Sequence, residues 1–149
     1  MSRPALPLLF TLACVLVAAP ACAFAENSQR FGDYEVHYNA LATSALGAAM
    51  ADKYGITRSA RGGMLNIAVQ RIAGDGAGVA VPAVIRAEAV NLTGQKSPVR
   101  IREIAGDDVS YIGLFDVKGP DTYTFTLSIT TQGTPRAFTL RFNQNFTGD

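Results

Sequence analysis

The chain is poor in the residues that build reactive or cross-linked sites. Its 149 residues include no tryptophan, one histidine and two cysteines. Both cysteines, Cys14 and Cys22, lie near the N-terminus, so the remainder of the chain has no disulfide and no thiol chemistry. The single histidine, His37, disfavours a closed zinc site, which needs four nitrogen or sulfur ligands. No G-x-S-x-G segment accompanies it, so serine and cysteine hydrolases are poorly supported.

The chain also has almost no net charge. The chain has 13 Lys and Arg side chains against 12 Asp and Glu side chains, with no block of like charge. A nucleic-acid-binding surface needs a basic stripe, and adsorption to anionic lipid needs a polybasic cluster. We therefore expect neither nucleic acid nor an anionic membrane surface as the partner.

Long apolar runs are absent except at the N-terminus. There, Arg3 precedes an apolar run over 5–17, and a stretch of small residues ends in Ala23-Phe24-Ala25. This order is typical of a secretory signal peptide with an A-x-A cleavage site. The run is shorter than the roughly 20 residues of a spanning helix. We predict a signal peptide over 1–25, cleavage after Ala25 and a periplasmic protein.

Lipidation at Cys22 is the alternative fate of this segment. A small residue before a cysteine just after the apolar run is typical of a bacterial lipoprotein signal. The preceding Ala19-Pro20-Ala21 fits that signal poorly, because an aliphatic residue is usual three positions before the cysteine. Cleavage after Ala25 gives a free protein, whereas processing before Cys22 gives a tethered one.

Residues 26–149 have the length of a single domain and an all-β pattern. In the clearest segment, 122–130, four apolar residues alternate with threonine and serine. We predict an immunoglobulin-like antiparallel β-sandwich of about seven strands, with turns roughly every ten residues. The predicted strands cover 34–39, 64–71, 83–92, 99–104, 109–117, 122–130 and 137–142.

The connections between these strands carry turn and helix signals. The turn-forming residues 118–121 predict a hairpin between the fifth and sixth strands, so that the last three strands form a meander. The glycine-rich segment 74–78 reads as a flexible connection. The alanine-rich segment 44–54 predicts a short helix after the first strand, capped by Thr43 or Ser44 and ended by Gly55.

No cluster of residues identifies a chemistry. His37 alternates with Tyr34, Val36 and Tyr38 in the first strand, which places its side chain on the polar face. Without a cleft and a charge partner in the pattern, we interpret it as a surface histidine with no catalytic role. A second hypothesis is that the protein carries Cu(I) or a small ligand and binds it through His37, Met50 and Met64, because thioether and imidazole groups suit Cu(I). No catalytic residue, metal ligand or cofactor is assigned.

Other charged residues have ordinary interpretations. Asp75 and the pair Asp107-Asp108 offer too few oxygens for calcium and are expected in turns. Arg100 and Arg102 share one strand face and are candidates for an anionic ligand. The competing interpretation is solvated arginines paired with Glu103 or Glu88.

Three segments carry a family resemblance: FGDYEVHYNA at 31–40, YGI at 54–56 and NLTGQ at 91–95. In this order they resemble a family of small exported proteobacterial proteins known as a domain of unknown function, the DUF4426 type. The resemblance covers nearly all of the chain after the signal peptide. It implies an immunoglobulin-like sandwich in the periplasm and brings no known activity, substrate or site.

The expected function is therefore a non-enzymatic binding or accessory module of the cell envelope. Its partner would be another envelope protein or component, bound through a sheet face or an exposed edge strand. An enzyme of unrecognised type is a further alternative, which would need a pocket that holds perturbed carboxylates. A concave site that gathers Tyr34, His37, Tyr38 or the Arg100 and Arg102 face would discriminate best among these hypotheses.

Overall fold

The computed structural model describes residues 27–104, 106 and 108–147. The predicted signal peptide over 1–25 and its cleavage site lie outside these residues. The described part contains one α-helix and ten strands, with one large apolar core and a second, smaller apolar cluster. The strands are β1 (Asn27–Phe31), β2 (Tyr34–Ala42), β3 (Gly62–Ile72), β4 (Gly78–Ala80), β5 (Ala83–Asn91), β6 (Lys96–Pro98), β7 (Arg100–Ile104), β8 (Ser110–Asp116), β9 (Asp121–Thr131) and β10 (Phe138–Phe146).

The strands form two antiparallel sheets. Sheet A has the order β1-β2-β3-β8-β7, with β4 added beside β3, and sheet B has the order β10-β9-β5-β6. Strands β2, β3, β8 and β7 match the A, B, E and D strands of an immunoglobulin-type sandwich. Strands β10, β9, β5 and β6 match G, F, C and C′. The immunoglobulin-like β-sandwich is confirmed, and all seven predicted strands are present.

The predicted meander of the last three strands is wrong. β9 and β10 do pair as a hairpin, but β8 pairs with β3 and β7 in the other sheet. Residues 118–120 therefore form an arch between the sheets. The reason lies in Val117 and Tyr123, which are buried on either side of this arch and draw the two strands into opposite layers of the same core.

A tyrosine fixes this arch. Tyr123, at the start of β9, is 1% exposed, and its hydroxyl accepts a hydrogen bond from the backbone N–H of Lys118 at 2.9 Å. A tyrosine at this position that bonds to the backbone a few residues upstream is the tyrosine corner of immunoglobulin-type sandwiches. The alternation predicted for 122–130 is also confirmed, because Phe125, Leu127 and Ile129 have no exposed surface.

The helix is shorter than predicted. A 3₁₀ turn spans Thr43–Ala45, and α1 spans Ala48–Tyr54, with Gly47 as N-cap and no side-chain cap. The predicted capping by Thr43 or Ser44 is wrong, because the Thr43 hydroxyl bonds instead to the backbone of Thr57 and Ser59. Gly55 ends the helix as predicted, in the left-handed conformation at φ 61°.

The helix packs on the outer face of sheet A and forms a second apolar cluster there. Leu46, Ala51 and Ile56 are buried against Met64 of β3 and Ile112 of β8. A seven-residue helix has little intrinsic stability, so this contact with the sheet holds it in place. The guanidinium of Arg102 on β7 adds a bond to the carbonyl of Tyr54, the last helical residue.

Three short strands, β1, β4 and β6, were not predicted. The glycine-rich segment 74–78 is not a flexible connection but the turn of the β3–β4 hairpin: Ala73 and Ala77 bond across it, and Asp75 accepts the N–H of Ala77. Asn91 similarly organises the β5–β6 turn, because its side chain accepts the N–H of Gln95. Among the described residues, no helix has the length and hydropathy needed to cross a membrane.

Candidate binding edge and groove

Strand β10 forms one edge of sheet B. It pairs with β9 through nine consecutive residue pairs, from Phe138 opposite Ile129 to Phe146 opposite Asp121. No described strand pairs with its other side, so alternate residues of β10 direct backbone N–H and C=O groups away from the sheet. The edge strands β1, β7 and β6 contain only five, five and three residues. β10 is thus the longest edge in the described structure.

This edge lacks the devices with which proteins usually block edge-to-edge pairing. Such devices are proline, bulges, very short strands and clusters of charge. β10 contains no proline, its register with β9 has no bulge, and Arg141 is its only charged residue. As far as the described residues extend, the backbone of β10 can therefore accept a further strand.

Half-buried aromatic rings line the same side of the sandwich. Strands β1 and β2 of sheet A face β10 across the core. Phe31 stacks on Phe138 with 5.1 Å between ring centroids, and Tyr38 lies 4.5 Å from Phe142. Tyr34 lies 5.4 Å from Phe138, and all five rings keep part of their surface exposed. We call β10 together with Phe31, Tyr34, Tyr38, Phe138 and Phe142 the aromatic edge.

A separate groove lies between α1 and the outer face of sheet A. It has a volume of about 660 Å³, and its apolar walls include Leu41, Met64 and Ile112 from the sheet and Leu46 and Met50 from the helix side. Met50 is 46% exposed. Asn39 and Asn66, which lie opposite each other on β2 and β3, and Ser110 supply the polar groups. We call this feature the helix groove.

The residues of the Cu(I) hypothesis are brought together only in part. Met50 and Met64 both line the helix groove, but His37 does not. His37 lies on the outer face of sheet A, as predicted, in register with Ser28 and Ala68. Within the described residues, no three His, Cys, Asp or Glu side chains are grouped closely enough to hold a metal ion.

Of the two predicted arginines, Arg102 contacts α1. Arg100 and Arg102 share the outer face of β7, as predicted, opposite Leu114 and Ile112. The expected pairing with Glu103 or Glu88 is wrong, because the one salt bridge among the described residues joins Glu88 to Lys96, at 2.9 Å.

The predicted acidic turns have different outcomes. Asp75 lies in a hairpin turn, as expected. Asp108 is exposed, and Asp107 lies outside the described residues.

Sequence reasoning missed the aromatic edge as a site. It named Tyr34 and Tyr38 but not their partners on β10, which lie about a hundred residues away in the chain. The alternation of Phe138, Leu140 and Phe142 within the predicted strand 137–142 is the available signal, because it places the three side chains on one face of that strand.

Comparisons with known proteins agree with this fold. The family model described as "Domain of unknown function (DUF4426)" matches residues 28–149. A crystal structure of a DUF4426 family protein from Pseudomonas aeruginosa PAO1 is similar, with a TM-score of 0.69 and 30% sequence identity. The match covers 83% of this chain and 96% of that chain. Among curated proteins, none matches the chain. The resemblance noted in three short segments therefore extends over the whole described sandwich, and the chain belongs to the DUF4426 family.

Proposed function

We propose that the protein is a non-enzymatic binding module of the cell envelope, exported to the periplasm by a cleaved signal peptide, and that it binds a partner protein along the aromatic edge. The partner contributes an extended segment that pairs with β10 as an added strand. The observation that supports this proposal is the nine-residue, bulge-free pairing of β10 on one side only.

The aromatic rings would add binding free energy that backbone pairing alone does not provide. Hydrogen bonds from an added strand exchange bonds to water for bonds to protein, so each contributes only about 0.5–1.5 kcal/mol net. Rigid aromatic side chains anchor interfaces at low entropic cost. The rings beside β10 remain partly exposed, and a bound strand would cover them.

The lining of the helix groove supports a non-enzymatic role. General acid–base catalysis needs a titratable side chain within hydrogen-bond reach of the reacting group. The groove is lined by aliphatic, methionine, asparagine, serine and glycine residues, and its one titratable residue is Tyr54, of a type whose free side chain has a pKa of about 10. Its chemistry suits binding rather than proton transfer.

Site-specific photo-crosslinking in the native envelope tests the proposal. A photoreactive amino acid replaces Arg141, an exposed residue of β10, and in the matched control it replaces Arg86, an exposed residue of β5 in the same sheet. We expect a discrete protein adduct from position 141 and none from position 86. Equal adducts at both positions, or none at position 141, would overturn the proposal.

A small-ligand or Cu(I) carrier remains a second candidate, favoured by one observation: Met50 and Met64 line the same groove. Titration of Cu(I) into the mature protein tests it, with Met50→Leu/Met64→Leu as the variant and His37→Ala as the control for a residue outside the groove. The carrier hypothesis requires stoichiometric binding that only the double methionine variant loses. Absence of binding, or binding lost only in His37→Ala, excludes the groove as the metal site.

A further inference from the structure

A small pocket lies at the end of the aromatic edge where β10 begins. It has a volume of about 370 Å³ and is lined by the aromatic residues Phe31, Tyr34 and Phe138 and by two charged residues, Arg71 and Asp33. Other residues of the β1–β2 turn and of the β9–β10 turn complete it. The Tyr34 hydroxyl reaches the Gln132 carbonyl at 3.5 Å and links these two turns. We call this feature the end pocket.

The end pocket has aromatic walls, and its charged residues are Arg71 and Asp33. Arg71 ends the regular pairing of β3 with β2, opposite Tyr34, and also lines an adjoining depression of about 880 Å³ together with Arg30 and Asp33. The end pocket and this depression together therefore hold two arginines and one acidic residue, which leaves a net positive charge. Among the described residues, neither arginine forms a salt bridge. Arg30 donates to the Gly32 carbonyl, whereas Arg71 makes no side-chain hydrogen bond in that part of the chain.

The direction of an added strand decides which of its ends reaches this pocket. β10 runs from Phe138 to Phe146, so a segment that pairs antiparallel to it ends its own chain beside Phe138. A parallel segment would bring its N-terminal end there, and a free ammonium group would meet the two guanidinium groups. Antiparallel pairing is also the more stable geometry per residue and continues the pattern of both sheets.

We infer that the aromatic edge binds the free C-terminal segment of its partner, with the last apolar side chain in the end pocket and the terminal carboxylate on Arg71. The inference rests on the proposed function and adds to it the polarity of the strand and the chemical class of the bound end. An arginine–carboxylate pair is directional, often bidentate and stronger than a neutral hydrogen bond. It therefore distinguishes a chain end from an internal segment of the same sequence.

Random heptapeptides anchored through their N-termini provide the probe. One library carries free C-terminal carboxylates, and a second library carries the same sequences as C-terminal amides. We expect the mature protein to select peptides from the carboxylate library whose last residue is apolar. In fluorescence anisotropy, the best of these should bind roughly tenfold or more tightly than its amide twin.

Two variants locate the effect. Arg71→Gln should bind the acid and amide forms of the selected peptide equally, whereas Arg86→Gln, on the outer face of sheet B, should keep the full difference. Unchanged thermal melting of both variants shows that the fold is retained.

The possible failures are distinguishable. Equal selection from both libraries overturns the inference but leaves strand addition at β10 intact. Selection from neither library overturns the inference together with the proposed strand addition. An acid preference that survives Arg71→Gln overturns the assignment of Arg71.

Discussion

At the scale of single residues, the hydroxyl of Tyr123 connects the two sheets. It accepts the Lys118 N–H from within the core, next to Phe115 and Phe146. The ring alone would fill the same space, so the specific contribution of tyrosine here is one hydrogen bond at the arch. That bond fixes where the chain leaves sheet A and enters sheet B.

Replacing Tyr123 with phenylalanine tests this role. The Lys118 N–H loses its partner, and we expect the free energy of unfolding to fall by about 1–2 kcal/mol, measured by urea denaturation. Tyr38→Phe is the control, because the Tyr38 hydroxyl has no hydrogen-bond partner among the described residues, and its effect should stay within about 0.5 kcal/mol. Equal losses in the two variants would show that the hydrogen bond at the arch contributes nothing specific.

At the scale of elements, α1 depends on the sheet beneath it and on Arg102. Carbonyl groups at a helix C-terminus favour a nearby cation, and Arg102 bonds to the last of them from β7. The helix contributes a wall of the helix groove. Arg102 does not line that groove itself but bonds to Tyr54, which does.

Substituting Arg102 with alanine should loosen the end of the helix without unfolding the sandwich. We expect the amides of Gly55 and Ile56, which bond to carbonyls of α1, to exchange with deuterium about fivefold faster, because a solvent-exposed hydrogen bond contributes about 1 kcal/mol. Arg100→Ala, on the same strand face, is the control and should leave these rates unchanged. Identical rates in both variants would contradict the account of Arg102.

The elements that sequence could predict are those whose signal is local. Seven strands were predicted because their alternation extends over several residues, as in β9. β1, β4 and β6 were missed because they are short or polar and are strands only through their partners. The start of the helix was misplaced because Thr43 bonds to Thr57 and Ser59 rather than to the first helical turn, and nothing in the local pattern distinguishes these choices.

At the scale of the whole molecule, the site could not be predicted for the same reason. The aromatic edge combines rings from β1 and β2 with rings from β10, at opposite ends of the chain. Its existence depends on which strands lie at the edges of the two sheets. The predicted meander placed β8 beside β9 in one sheet. In the structure the chain crosses from sheet A to sheet B between these two strands, and this crossing determines which strands lie at the edges of each sheet.

At the same scale, the predicted export and signal-peptide cleavage can be tested by mass. We predict a mature N-terminus at Glu26, because cleavage after Ala25 fits the A-x-A rule. Intact-mass analysis of protein purified from the periplasm should match a chain over 26–149 without modification. A lipid-modified species that begins at Cys22, recovered from the membrane, would replace the free periplasmic protein with a tethered one.

The central claim is that β10 accepts a partner strand, and hydrogen exchange at single residues tests it most directly. Amide exchange rates are measured by NMR for the mature protein alone and with the heptapeptide selected by it. Strand addition predicts slower exchange at alternate residues of Phe138–Phe146, at the amides that β9 does not bond, and little change around Met50. Unchanged β10 amides in the presence of bound peptide, or protection confined to the helix groove, would contradict the account.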